Sequence, residues 1–165
     1  GPQHYLVVCA HNRLFPLDLP FCLAQHNDII NVILWGVQNM KRTMQILVGM
    51  VGLLNFLIGL GFLFNPSKMA TEFALSPLGT QGMATMRADF PAFFLTGAIF
   101  SLIGAWRADR TPLLVPLMLL TFALLGRFVS IALDGTAPTT VQPMIIEAAM
   151  IGLLGLAYRT FGKSA

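Results

Sequence analysis

Charge is scarce in this chain: only 10% of its 165 residues are Asp, Glu, Lys or Arg, against roughly 25% in soluble domains. Histidine and cysteine are scarcer, and both are confined to one end. His4, His11 and His26, with Cys9 and Cys22, all precede residue 40. Residues 40–165 therefore offer no thiolate nucleophile, no histidine general base, no disulfide and no His- or Cys-ligated metal or haem. Cys9-Ala10-His11 supplies two ligands where a structural metal site needs four. No GxGxxG or Walker pattern occurs, which removes the phosphate-cradling loops. The formal net charge of +3 is spread as single or paired Lys and Arg beside apolar stretches, an arrangement that reads as topology signals rather than a nucleic-acid surface. No metal, cofactor or nucleic-acid partner is expected.

What remains is hydrocarbon. Fifty-six per cent of the residues are hydrophobic and the mean hydropathy is +0.74, which places the chain in the membrane class. Helices of about 20 residues joined by short loops would use nearly all of it, so one domain is expected.

Residues 1–39 form a leader. Gly1-Pro2 has the look of a protease scar, and the stretch lacks the basic start and small-residue cleavage site of a signal peptide. Met40-Lys41-Arg42 is a natural beginning for a bacterial membrane protein. Two readings stand: the leader is an over-long reading frame or added sequence, or residues 29–37 form an in-plane helix with Trp35 at headgroup level.

Residues 40–165 read as an all-α, polytopic membrane protein, a four-transmembrane-helix bundle. Residues 45–64 are the clearest span, with no charge in 20 residues, enough to cross a core of about 30 Å. Asn65-Pro66-Ser67 breaks the pattern, and residues 66–75 suit a short amphipathic helix with Met69, Phe73 and Leu75 toward the membrane and Lys68 and Glu72 toward water. The second span starts at Met83 or Phe90 and ends at Trp106, with Pro91 in a first turn or a kink. The third covers residues 112–133 and contains Arg127. The fourth runs from Val141 or Pro143 to Tyr158 or Phe161 and contains Glu147.

Lys41, Arg42, Arg107, Arg110, Arg159 and Lys163 flank the spans on one side, and only Lys68 lies in the loops of the other. The positive-inside rule then puts both termini and the loop at 106–111 in the cytoplasm of a bacterium, the protein sitting in its inner membrane. That orientation gathers the buried charges. Arg127 lies about six residues from the outer end of its span, Glu147 about four, or roughly 6 Å, below the same boundary. Arg87 and Asp89 stand at the outer start of span two and Asp134 at the outer end of span three. A charge at mid-membrane costs at least about 2.5–3.5 kcal/mol, so Arg127 and Glu147 are expected to face the bundle interior and pair. Asn55, near mid-membrane in span one, is placed at the floor of the same pocket. Arg127, Ser130 and Asp134 share one helical stripe. The bland alternative keeps all of these as interhelical bonds or snorkelling side chains. Gly49 with Gly52, Gly59 with Gly61, Gly97 with Ser101 and Gly126 with Ser130 read as close-packing surfaces.

Leu78-Gly79, Gly82, Arg87-Ala88-Asp89, Gly126-Arg127, Asp134-Gly135 and the Glu147 span resemble those of the uncharacterised small four-helix bacterial inner-membrane proteins grouped near the DoxX-like proteins, over residues 40–162. The resemblance implies a four-helix bundle and, through the DoxX relatives, an accessory role beside quinone-linked oxidoreductases.

Three functions follow in order. The first is binding or transport of a small lipid-like or amphiphilic molecule at the polar cluster, an anionic head pairing with Arg87 or Arg127. The second is a non-catalytic accessory subunit packing on a membrane partner or on a copy of itself. The third is an enzyme using Glu147 or Asp89 as acid or base. Membrane lipids are partners in every case.

Overall fold

A computed structural model describes residues 19–136 and 140–162, with side chains from residue 30 onward. Cys9, His11, Pro138 and Lys163, and the side chains of Cys22 and His26, lie outside the described residues. The chain divides into two units, Gly1–Met40 and Lys41–Ala165. In the first, the described backbone is helical from Leu19, and residues 30–38 are exposed. The second holds the bundle.

Five helices are present among the described residues: α1 (Leu19–Phe64), α2 (Pro66–Glu72), α3 (Gly79–Arg107), α4 (Leu114–Asp134) and α5 (Val141–Thr160). All but α2 are long and apolar enough to cross a membrane. Many of their large apolar side chains point outward; Leu57, Phe122 and Leu133 are 58%, 65% and 79% exposed. Such surfaces suit hydrocarbon and not water, so the molecule is an all-α membrane helical bundle.

The boundaries differ from the sequence reading in three places. Residues 29–37 do not form a separate helix, because α1 runs on without a break; Gly36 alone does not stop a helix. The second span begins at Gly79, ahead of Met83 and Phe90, so Pro91 falls within α3 instead of opening it. Helix α2 ends at Glu72, before Leu75. Ala74 turns left-handed at φ 54°, and the amides of Ala74 and Leu75 donate back to Thr71 and Ala70 carbonyls at 3.2 and 2.7 Å. This is a Schellman ending. At the other end of α2, the Asn65 side chain accepts from the Lys68 amide and Pro66 occupies the first turn.

The apolar side of α2 faces the bundle rather than the membrane. Met69 and Leu75 pack on a buried group of Phe62, Ala70 and Met86, and the Phe73 ring meets that of Phe62 at 5.0 Å. A short helix gains more by closing an aromatic core than by lying against lipid, where apolar contact brings no hydrophobic gain.

A second buried group draws on all four long helices: Val48, Ala105, Leu113, Leu120, Leu154, Ala157 and, just past α5, Phe161. Around it the polar backbone is tied off. Gln45 donates to the Ala105 carbonyl at 2.8 Å, giving that carbonyl at the end of α3 a second donor beside the Ala108 amide. Asp109 and Gly162 form an isolated bridge, in which the Arg110 amide donates to the Gly162 carbonyl at 3.1 Å. Small residues permit the approach of helices: a Cβ on Gly52, Gly59 or Gly104 would meet Leu102, Leu95 or Leu113 at 2.9, 2.8 and 2.5 Å. Gly49 and Gly126 have open space beside them, so these two are not packing surfaces within the bundle. Helical spacing marks a face but not which neighbour fills it.

Candidate functional site

At the Asn65 end of the bundle the helices part. The buried group there joins α1, α2 and α3 but includes no residue of α4 or α5. Two cavities of about 380 and 390 Å³ lie in the gap, at the lower end of the usual range for ligand pockets, roughly 300–1,000 Å³. They share Phe73 and Arg127 in their walls.

Arg127 and Glu147 reach this level from opposite directions, because α4 and α5 are antiparallel neighbours. The Arg127 Nε donates to both Glu147 carboxylate oxygens at 3.0 Å. The Glu147 side chain is 12% exposed and that of Arg127 37%, so the acid is the more deeply placed partner. The side-chain hydrogen bonds of Arg127 to Glu147 both leave from Nε, and Glu147 answers its positive charge.

The structure brings only some of the expected residues to this place. Asp89, exposed on α3, lines the 380 Å³ cavity with Arg127 and Glu147. Arg87 is exposed and lines neither cavity; two residues from Asp89 on a helix, it lies about 200° away around the axis. Asp134 accepts from the Ser130 hydroxyl at 3.0 Å in an exposed position, and Ser130, not Asp134, lines the second cavity. Asn55 is buried, donating to Val51 of its own helix at 2.8 Å and to the Met150 sulfur of α5 at 3.9 Å. It is not the floor of the Arg127 cavity. It borders a separate void of about 10 Å³, and Phe93 stands between the two.

Four phenylalanines, Phe73, Phe90, Phe93 and Phe94, with Ala123, form the rest of the wall, and the sequence reading did not assign any of them to the site. The signal was present: Phe90, Phe93 and Phe94 stand at i, i+3 and i+4, one face of a helix. Phe62 braces them, stacked on Phe90 at 4.6 Å and on Phe94 at 5.9 Å. Glu72 was assigned to water and is exposed, yet it also lines the second cavity.

Chemically the site pairs an aromatic wall with fixed charges. It has the means of recognising an amphiphile: apolar surface for a tail and ionic groups for a head. Among the described residues no three His, Cys, Asp or Glu side chains converge to hold a metal ion. Comparison with curated proteins and with solved structures gives no match. A family does match, over residues 43–158, which takes in the four spans, α2 and every residue named above in the two cavities. The chain belongs to the family described as the domain of unknown function DUF4345.

Proposed function

We propose that this protein binds, and in doing so moves or presents, a small amphiphilic molecule in the gap at the Asn65 end of its bundle. The observation that carries this reading is the composition of one wall: the Arg127–Glu147 pair and Asp89 beside Phe73, Phe90, Phe93 and Phe94. Charges held only as structural glue have no need of an adjoining aromatic cavity. The proposal sets the molecule in a bacterial inner membrane with both ends of the chain in the cytoplasm, since six basic residues flank one side of the spans and Lys68 alone the other. It retains kinship with the DoxX-like proteins. A second reading, the accessory subunit, is favoured by Gly126 on α4 and Gly152 and Gly155 on α5, which have open space where a partner helix would fit. An enzyme has the least support, for Asp89 and Glu147 stand without a nucleophile.

Native mass spectrometry in mild detergent tests the choice. A co-purified small molecule that disappears in Phe93→Leu while the fold persists is the expected result. A bare chain that travels instead in a stable hetero-complex would move the assignment to the accessory role.

A further inference from the structure

We infer that the molecule bound in this gap carries a positively charged, organic head: an alkyl-ammonium amphiphile. The inference rests on the binding reading above and names its ligand class.

The two neighbouring cavities carry an excess of negative charge. Their walls hold three carboxylates, Glu72, Asp89 and Glu147, against a single guanidinium, Arg127. Glu147 meets that guanidinium at Nε through both of its oxygens, so the pair is close to neutral and Glu72 and Asp89 set the sign of the field. An anionic head would face these two carboxylates with the charge of Arg127 already balanced by Glu147, and Arg87, the other arginine proposed for it, lines neither cavity.

The aromatic wall makes the second, independent argument. Phe90 and Phe94 stack on Phe62, Phe93 and Phe73 meet Phe94 edge to face, and Phe73, Phe90, Phe93 and Phe94 all border the cavity. The face of a phenyl ring is the negative side of its quadrupole, and quaternary ammonium heads are recognised by such faces. Of the described residues, Arg110 over Tyr158 makes the cation–π contact, 5.7 Å to the ring centroid, near the Asp109–Gly162 bridge. The third argument concerns which cation. A metal ion demands several hard or soft ligands converging within bonding distance, and the carboxylates here do not converge in that way. A diffuse organic cation needs only a negative field and apolar contact, and both are supplied.

Binding of decyltrimethylammonium, decanoate and decanol, matched in chain length, to the full chain in phosphatidylglycerol nanodiscs tests the head group. The ammonium should saturate at one per chain, with decanoate and decanol failing to displace it. Asp89→Asn and Phe93→Leu should each weaken it about tenfold. Arg127→Gln, which leaves Glu147 unanswered, should tighten it. Weakened ammonium binding in phosphatidylcholine discs identifies a lipid-borne ammonium head as the occupant; unchanged binding identifies a free solute. Decanoate binding that is lost in Arg127→Gln would overturn the inference while sparing the binding reading, as would equal binding of all three heads. If no head group binds saturably, both fall.

Discussion

Arg127 spends one nitrogen on two oxygens. A guanidinium of which Nε alone meets the acid binds it less rigidly than a two-nitrogen fork would, and with the arginine more than a third exposed the pair is only part-desolvated. Removing either partner nevertheless strands a charge in an apolar setting. Arg127→Leu and Glu147→Leu should each lower stability by about 1.5–3 kcal/mol, and the double mutant by clearly less than their sum. Thermal unfolding of all four proteins in one detergent closes the cycle, and strict additivity would show that the bonds observed contribute nothing. Depth along a helix was legible for these residues: counting from the span ends brings Arg127 and Glu147 to one level. Azimuth was not. Asn55 and Arg87 have suitable depths, but the rotation of α1 and α3 depends on which neighbour each face meets, and single-sequence spacing does not identify that neighbour. So Asn55 turned to Met150, and Arg87 turned away while Asp89 took its place.

At the scale of the element, two endings repeat one device with an unusual residue. Both α2 and α3 close in Schellman geometry, with Ala74 and Ala108 in the left-handed region at φ 54° and 48°. For α3 the Ala108 and Asp109 amides donate back to Ala105 and Gly104. Glycine is the usual occupant because a Cβ there crowds the following carbonyl, at about 1–2 kcal/mol. Ala108→Gly should therefore raise stability by about 1 kcal/mol, part of the gain being offset by the greater freedom of an unfolded glycine; an unchanged or lowered Tm would show that the alanine side chain is needed where it stands. These endings explain which boundaries were readable. Asn65-Pro66 and Asp134-Gly135 announce themselves by residue type. The end of α2 rests on an alanine, so no glycine marked it. The start of α3 was hidden for another reason: Arg87 and Asp89 interrupt the apolar run, although a helix tolerates charge at exposed positions such as these.

For the molecule as a whole, sequence and structure agree on four spans because 20 apolar residues have few alternatives in a bilayer. Orientation is a separate matter, resting on charge counts alone. Thr111→Cys and Thr136→Cys occupy opposite ends of α4 and are both exposed. In intact cells an impermeant maleimide should label Thr136→Cys and leave Thr111→Cys untouched; the reverse pattern would invert the assignment and turn the cavities toward the cytoplasm.

The bridge between Asp109 and Gly162 has a mechanical meaning. With Gln45 bound to the end of α3, Arg110 bound to Gly162 and Leu113 pressed on Gly104, α4 and α5 are rooted at one end like the prongs of a tuning fork. Their far ends, Asp134 and Val141, lie outside the buried aromatic group. Displacement of a clamped beam grows with distance from its root, so on the proposed binding reading a bulky guest would enter by flexing α4 and α5 sideways from the aromatic wall, without disturbing the packed base. Amide exchange should rise along α4 from Leu120 toward Asp134 and fall along α5 from Val141 toward Leu154. A flat profile along both helices would mean that the root is no stiffer than the tips.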